Sequence, residues 1–194
     1  MNLEMIRTIV NRIIADINHA NYSKHKLYYA CGPMGSGKSS FVNDKLLKQK
    51  SVNAYHCSID EYIPYFNEKE AQEAKSEGLY QLCRQIGIMV TDYLLEHKIS
   101  MIIEGVGLNN DTVEFLDRAR KNGYYVHTYF MIVDLETCRE RVKIRNNNDR
   151  HKVTDEAVIK AHNGLYGENG TKSLIEGVSD IVTEVHHDII ITNV

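Results

Sequence analysis

The sequence contains little of what marks a secreted, metal-binding or membrane-spanning protein. Its four cysteines form no CxxC pair, so the spacing of a cysteine metal site is absent and we expect reduced, structural thiols. No apolar run reaches the roughly 18 residues that a membrane-spanning helix needs. Charged residues interrupt the apolar pattern of residues 1–20, which predicts an amphipathic N-terminal helix rather than a signal peptide. These absences predict a cytoplasmic protein without a membrane partner.

Prolines, linkers and excess charge are also scarce. The chain has two prolines and a net charge of -3, so no global positive field draws it onto nucleic acid or an anionic membrane. It shows no internal repeat and no low-complexity linker. Apolar residues make up 43% and charged residues 25% of the 194 positions, as in a folded globular protein. We therefore predict one domain over 1–194.

The order of the apolar patterns predicts an α/β fold. The five predicted strands cover 26–31, 53–59, 99–105, 124–133 and 188–194. Further helices are predicted over 37–49, 78–97, 110–121, 135–146 and 154–162, with a loop over 163–172. Strands that alternate with helices favour a parallel sheet, so we expect a five-stranded, mainly parallel sheet between helices.

The first predicted strand leads into GPMGSGKS, residues 32–39, which fits GxxxxGK[ST] at every defined position. Glycines in such a loop adopt positive φ angles that turn N–H groups toward an anion. Lys38 would bridge the β- and γ-phosphates of ATP, and Ser39 would hold Mg²⁺. The predicted nucleotide-binding residues are Gly32, Gly35, Ser36, Gly37, Lys38, Ser39 and Ser40. The motif therefore predicts a P-loop NTPase that binds ATP and Mg²⁺.

Two carboxylates follow predicted strands. Asp60 comes after the second strand in HCSIDEY, and Glu104 ends the third in MIIEG. Ligands of open α/β sheets bind beyond the carboxyl ends of the strands, so both side chains are expected at the nucleotide crevice. Asp60 is a candidate general base or Mg²⁺ ligand through water, or a helix N-cap. The adjacent Gly105 and Gly107 suggest that Glu104 lies close to a ligand, and the alternative is a strand-ending charge in solvent.

The densest charge lies at 139–152, where six Lys or Arg residues face two acidic ones. We predict that this segment is an arginine-rich lid. Arg141 and Arg145 share a helix face and would neutralise a transferring phosphoryl group. The alternative is a solvated basic helix end. Tyr62, just past Asp60, would either stack on a base or sugar of the substrate or belong to the local core.

The succession of these motifs resembles the zeta-toxin-like P-loop kinases. The motifs follow one another in the order found in that family, over roughly residues 26–162: the P-loop, Asp60, IIEG, GYYVHTYFMIV, CRERVKIR and RHKVTDEAVI. The resemblance implies transfer of the γ-phosphate of ATP to a hydroxyl, which in the zeta toxins proper belongs to UDP-N-acetylglucosamine. It also implies a nucleotide-kinase-like three-layer sandwich, and an antitoxin protein as a possible partner.

The same resemblance assigns roles to residues of this chain. Lys38 and Ser39 would bind ATP·Mg²⁺, and Asp60 would be the general base. Glu104 would hold the acceptor or the water shell of Mg²⁺. The arginines at 141 and 145 would clamp the phosphates.

The chain is also similar to polynucleotide 5′-hydroxyl kinases, which share the P-loop, the strand-ending aspartate and a basic lid. Those kinases usually carry an arginine three residues after the aspartate, where this chain has Ile63. Four acidic residues follow nearby: Glu68, Glu70, Glu73 and Glu77. We therefore predict a small nucleotide-like or sugar-nucleotide acceptor. A polynucleotide or DNA-base hydroxyl kinase is the alternative, and a P-loop ATPase without a small-molecule acceptor is the second alternative.

Overall fold

The computed structural model describes residues 3–147, 152–186 and 189–193. The chain forms two compact units, each built from two chain segments. The first unit comprises Met1–Lys26 and Asn53–Ile103, and the second comprises Leu27–Val52 and Glu104–Val194. The single domain expected from the sequence stays a prediction. The two units are defined by their internal contacts alone, and these do not test whether the chain folds as one domain.

The helices and strands alternate along most of the chain. The helices are α1 (Leu3–His19), α2 (Lys38–Phe41), α3 (Ile59–Tyr62), α4 (Glu68–Glu77), α5 (Leu79–Glu96), α6 (Asn110–Lys121), α7 (Leu135–Asn146), α8 (Asp155–Tyr166) and α9 (Lys172–Gly177). The strands are β1 (Lys26–Cys31), β2 (Tyr55–Cys57), β3 (Met101–Gly105), β4 (Tyr125–Ile132), β5 (Ile181–His186) and β6 (Ile189–Asn193). A π-helix, Val42–Leu46, continues α2, and a 3₁₀ turn, Ile63–Tyr65, continues α3.

The first unit is held together by the packing of α1 on α5. The apolar face of α1 consists of Met5, Ile6, Ile9, Val10, Ile13 and Ile17, all buried. The buried residues of α5 are Leu82, Cys83, Ile86, Val90, Leu94 and Leu95. Both sets recur every three or four positions, so each helix turns one apolar stripe inward. Beside them, β2 pairs with β3 in parallel, with Tyr55 opposite Met101.

In the second unit the strands lie in the order β1, β4, β5, β6. Strands β4 and β5 are parallel, and β6 runs antiparallel to β5. The predicted α/β fold with a mainly parallel sheet is confirmed. The described residues form six strands rather than five, because the sequence gives β5 only a weak apolar signal. In IVTEVH one residue alone, Thr183, is fully buried.

Two helices differ from their predicted bounds. The helix predicted over 37–49 is α only to Phe41 and then widens into the π-helix. Part of the predicted loop 163–172 is helical, because α8 continues to Tyr166. Gly164 lies within α8, where its lack of a side chain leaves room for Leu108. A Cβ at Gly164 would collide with Leu108 Cδ1. No helix within the described residues combines the length and apolarity needed to cross a membrane.

His127 in β4 is a partly buried imidazole that remains neutral in the folded protein. Its ring stacks on Tyr129 with 4.0 Å between centroids, and its Nε2 lies 2.8 Å from Thr183 Oγ1. Burial lowers the pKa of His127 from 6.5 to about 4. The folded state therefore takes up this proton only at a lower pH than the unfolded chain does.

We expect His127 to make the free energy of unfolding depend on pH. The unfolded chain binds a proton near pH 6.5, and the folded protein binds it near pH 4, so the contribution is full above 6.5 and is lost as pH falls toward 4. Urea unfolding at several pH values between 4 and 7 should show the difference between wild type and His127→Gln shrinking with acidification. His19→Gln, at an exposed position of α1, is the control. A difference that stays constant with pH would contradict this expectation.

Candidate active site

The P-loop joins β1 to α2 within the second unit. Gly32 N–H donates to the carbonyl of Gly105 at 3.2 Å, which ties the loop to the end of β3. Gly35 and Gly37 have φ angles of 81° and 90°, so the positive φ angles predicted for the loop are present. Gly37 is the N-cap of α2, and Lys38 is the first helical residue. The backbone thus has the strand, turn and helix that a phosphate-binding loop requires.

The P-loop packs directly on the backbone of α7. A Cβ at Gly35 would collide with the carbonyl oxygen of Cys138. Arg141, one turn further along α7, donates from Nη1 to the carbonyl of Gly35 at 3.4 Å. Gly35 is therefore required both by its φ angle and by the close approach of α7.

Substitution of Gly35 by alanine should both destabilise the fold and weaken ATP binding. A left-handed backbone costs a residue with a Cβ roughly 1–2 kcal/mol, and at Gly35 the collision with Cys138 adds to it. We expect the Kd for Mg·ATP, measured by calorimetry, to rise at least about tenfold, equivalent to about 1.4 kcal/mol.

Gly78→Ala is the matched control for Gly35→Ala. Gly78 has a φ of 92°, and nothing lies within 4 Å of its Cβ position. This variant should lose stability through its backbone alone and keep the ATP affinity of wild type. Equal ATP affinity in both variants would show that the contact between the P-loop and α7 does not support the nucleotide site.

Lys38 and Ser39 are both held by partners around the loop. Lys38 Nζ donates to the carbonyls of Gly32 and Pro33 at 2.7 and 2.9 Å. Burial is the main cause that lowers the pKa of Lys38; the nearby charge of Arg145 adds to the lowering, and that of Glu104 opposes it. These electrostatic effects place Glu104 and Arg145 close to the lysine that the sequence predicts as the phosphate ligand.

Glu104 lies against the P-loop, at the end of β3. Ser39 Oγ donates to Glu104 Oε2 at 2.7 Å. The glycines that follow Glu104, at 105 and 107, are both closely packed against β1. A Cβ at Gly105 would meet the ring of Tyr29, and one at Gly107 would meet Cys31 Sγ. Close internal packing therefore explains both glycines.

The arginines of α7 divide into two groups. Arg141 lies beside the loop, with Nη1 3.9 Å from a Cβ position at Gly37. Arg139 instead pairs with Asp155 of α8 at 2.7 Å and with Glu136 at 2.9 Å. The predicted lid over 139–152 is an ordered helix as far as Asn146, and its residues 148–151 lie outside the described part of the chain.

A cavity of about 400 Å³ lies next to the P-loop in the second unit. Its lining residues are Ser36, Gly37, Ser40, Phe41, Asp44, Lys45, Met131, Val133, Arg141 and Val185. Ser36 is 5% exposed, and its hydroxyl has no hydrogen-bond partner within the described structure. A buried hydroxyl without a partner is costly, which marks this wall of the cavity as a place where a polar ligand atom would be stabilising.

Asp60 and Tyr62 belong to the first unit. Asp60 is an exposed residue of α3, whose N-cap is Ser58, so the N-cap role left open by the sequence falls to another residue. Tyr62 is 1% exposed, and its Cε2 is 3.2 Å from a Cβ position at Gly87 of α5. The local-core alternative therefore describes Tyr62, because a ring this buried offers no face for stacking on a base or sugar.

The comparison of sequences decides the family. The sequence profile of the zeta toxin family matches residues 11–191. The chain belongs to the zeta toxin family. The match extends beyond the motifs of the P-loop and includes most of α1 and the last strands. No curated protein sequence matches this zeta toxin family member.

Solved structures with the same fold include a toxin–antitoxin system and the complexes of AvrRxo1-ORF1 with AvrRxo1-ORF2. The zeta toxin family chain is similar to the PezAT chromosomal toxin–antitoxin system of Streptococcus pneumoniae, with a TM-score of 0.69 and 12% identity over 97% of this chain and 80% of that one. It is also similar to the AvrRxo1-ORF1:AvrRxo1-ORF2 complex with sulphate ions, with a TM-score of 0.62 and 11% identity over 98% and 63% of the two chains. The same complex with ATP gives 0.60 and 10% over 97% and 62%. This chain thus spans less than two thirds of the AvrRxo1 chains, and the likeness shows the fold.

Apart from Ser40 and Arg141, the sequence missed the cavity residues that lie outside the P-loop motif. Asp44 and Lys45 face the cavity from the π-helix, and a π-helix has no periodic signal in five residues. Met131, Val133 and Val185 come from the end of β4, the residues after it and the end of β5. The rule that ligands bind beyond strand ends could have indicated Val133, but no rule indicated Val185 while β5 itself was not predicted.

Proposed function

We propose that this zeta toxin family member is an ATP-dependent kinase that acts in the cytoplasm on a hydroxyl of a small nucleotide-like or sugar-nucleotide acceptor. The observation that carries the proposal is the hydrogen bond between Ser39 and Glu104 at 2.7 Å, beside the P-loop lysine. Membership of the zeta toxin family supports phosphoryl transfer. The complex of an AvrRxo1 relative with ATP supports ATP as the donor.

The nucleotide would take over hydrogen bonds that the P-loop now makes with itself. Lys38 Nζ would leave the carbonyls of Gly32 and Pro33 and donate to the β- and γ-phosphates. The cavity lined by Phe41 and Val133 would receive the nucleoside, because its apolar wall suits a base and its other end is the P-loop.

Ser39 and Glu104 fit Mg²⁺. A hydroxyl and a carboxylate are the hard oxygen ligands that this ion prefers, and it usually keeps several waters and phosphate oxygens as its other ligands. The described residues contain no group of three or more His, Cys, Asp or Glu side chains suited to a metal. Ser39 would bind Mg²⁺ directly and Glu104 through water. Bound there, Mg²⁺ would neutralise charge on the β- and γ-phosphates.

In the transfer step, the acceptor oxygen would form a bond to the γ-phosphorus while the bond to the β–γ bridging oxygen breaks. Asp60 would accept the proton of the acceptor hydroxyl, and ADP would leave with the bridging oxygen. The cationic groups of Lys38, Arg141 and Arg145 would stabilise the charge spread over the equatorial oxygens. Positioning and charge neutralisation would supply most of the rate.

An acceptor panel tests this proposal. ADP release from Mg·ATP should be measured with UDP-N-acetylglucosamine, with mononucleosides and mononucleotides, and with 5′-hydroxyl oligonucleotides. The expected result is a marked stimulation by one small-molecule class, with the phosphorylated product identified by mass spectrometry. Stimulation by the oligonucleotides alone would establish the polynucleotide-kinase alternative. Slow release that is indifferent to every acceptor would overturn the kinase proposal in favour of an ATPase.

We also propose an antitoxin protein as a partner. The support is the PezAT relative, whose structure is that of a toxin–antitoxin system, together with the zeta toxin family match. Expression of the wild-type chain should then slow growth of the host cells, and expression of an inactive P-loop variant should not. Equal growth in both cultures would remove the reason to expect an antitoxin.

A further inference from the structure

Asp60 lies on a short segment that is anchored at both ends within the first unit. We call residues 59–70 the Asp60 segment; it comprises α3, the 3₁₀ turn Ile63–Tyr65 and the first turn of α4. One anchor is Tyr62, whose buried ring packs against Gly87 of α5. This anchor is apolar and lies two residues beyond Asp60.

The second anchor is polar and comes from α1. Arg12 Nη1 donates to Tyr65 O at 3.0 Å and to Glu70 Oε2 at 2.7 Å, and Nη2 donates to Glu70 Oε1 at 3.0 Å. One turn further along α1, Asp16 Oδ2 accepts from Tyr65 Oη at 2.8 Å. A guanidinium that binds a carboxylate with two nitrogens fixes direction as well as distance, so α1 determines where the segment lies.

Glu70 connects this anchor to the backbone of the segment. Its Oε2 accepts from Asn67 N–H at 2.8 Å, and Asn67 Oδ1 accepts from Glu70 N–H at 2.9 Å, which together form a capping box at the start of α4. The hydrogen bond from Arg12 is the main cause that lowers the pKa of Glu70. The Glu70 carboxylate is therefore charged at neutral pH. It binds Arg12 of α1 and caps the first turn of α4 at the same time.

The geometry of the ion pair indicates a role in positioning. The side chains of Arg12 and Glu70 are 41% and 14% exposed, and the contact of two guanidinium nitrogens with one carboxylate fixes the direction of the pair. The apolar face of α1 already secures that helix on α5. What the ion pair adds is a fixed geometry for the chain between Asp60 and Asn67.

We propose that Arg12 and Asp16 are positioning residues for Asp60, so that the N-terminal helix contributes to the transfer step by fixing the Asp60 segment. The proposal rests on the proposed function of Asp60 as general base. The two side chains hold the Asp60 segment from α1, and their loss lets Asp60 move relative to α5. Displacement of a catalytic group by about 1 Å lowers a rate by up to about a hundredfold.

The test compares Arg12→Gln, Asp16→Asn and the double variant with wild type. Backbone hydrogen exchange of the free, full-length protein reports on the Asp60 segment without any ligand. Steady-state kinetics with Mg·ATP and the acceptor class selected by the panel separates kcat from the two KM values. Arg7→Gln is the matched control, because Arg7 is an exposed arginine of the same helix and the substitution removes the same charge.

In the double variant we expect exchange at residues 60–66 to rise at least about tenfold and kcat to fall between about tenfold and a hundredfold. The KM for ATP and the exchange of α2 should stay within about twofold of wild type, as should every value for Arg7→Gln. Arg12→Lys keeps the charge without the two-nitrogen contact and should give intermediate values.

Unchanged exchange in the double variant would overturn the proposal, and so would a kcat within about twofold of wild type. The two proposals fail in different ways. If wild type itself phosphorylates no acceptor, the kinase assignment fails, while the exchange measurement still decides whether α1 fixes the Asp60 segment. A fall in kcat of the double variant, together with an unchanged melting temperature, would show that the two residues do more than stabilise the fold.

Discussion

Replacement of Lys38 by methionine is expected to abolish phosphoryl transfer, with kcat/KM for Mg·ATP lowered by at least about a thousandfold. Lys38 supplies the ammonium group of the P-loop. Burial is the main cause that lowers its pKa; the charge of Glu104 raises the pKa and that of Arg145 lowers it. Methionine keeps most of the side-chain length but offers no donor to a phosphate. In the absence of nucleotide it also leaves the carbonyls of Gly32 and Pro33 without the hydrogen bonds that Lys38 Nζ supplies.

Lys48→Met is the control for this experiment. Lys48 lies one turn beyond the π-helix residue Asp44, with which it forms a surface ion pair at 3.2 Å, and surface pairs contribute little. Initial rates of ADP formation over a range of ATP concentrations, with circular dichroism to confirm folding, give the comparison. A Lys38→Met enzyme within about tenfold of wild type would show that the P-loop lysine does not bind the transferring phosphate.

Replacement of Asp60 by asparagine is expected to lower kcat by about 10²–10⁴-fold while the Kd for Mg·ATP stays unchanged. The amide has nearly the same shape as the carboxylate but cannot accept the acceptor's proton. Because Asp60 is exposed, the substitution leaves no buried group unsatisfied and should not affect folding. The measurements are single-turnover transfer to the acceptor and calorimetric titration with ATP.

Glu61→Gln controls for the loss of one charge beside Asp60. Glu61 is the next residue of α3, and its side chain is 59% exposed. It should transfer phosphate at the wild-type rate. Transfer by Asp60→Asn at the same rate as Glu61→Gln would refute the general-base role and leave Asp60 as an ordinary surface carboxylate of α3.

The part of the site that the sequence predicted is the part with short-range rules. The P-loop follows a strand and precedes a helix. The positive φ angles of Gly35 and Gly37 belong to residues close together in the motif, so a local pattern is enough to predict them. Glu104 could be predicted from one further rule, that strand ends face the ligand side of a parallel sheet. In the structure its carboxylate accepts a hydrogen bond from Ser39 of the P-loop.

The rest depends on contacts between residues far apart in the chain. Sequence spacing put Arg139 and Arg141 in one basic cluster, but Asp155 takes Arg139 away from the loop. Tyr62 could be a ligand or core residue until the position of Gly87 decided it. Gly107 suggested close approach to a ligand because it lies near the strand-ending Glu104, and the structure shows that Cys31 of β1 approaches it. Contacts between residues far apart in the chain decided these cases, and a short stretch of sequence does not contain that information.

The contact between Gly35 and Cys138 has a thermodynamic consequence. Because the backbone of α7 touches the loop that would hold the phosphates, a nucleotide that fixes the loop also restricts α7. Linkage is reciprocal, so any molecule that holds α7 in the nucleotide-bound position must tighten ATP binding by the same factor by which ATP tightens its own. Arg139 extends this coupling to α8 through Asp155. Helices α7 and α8 are therefore a part of the second unit through which ATP affinity is adjustable without a change in the P-loop residues.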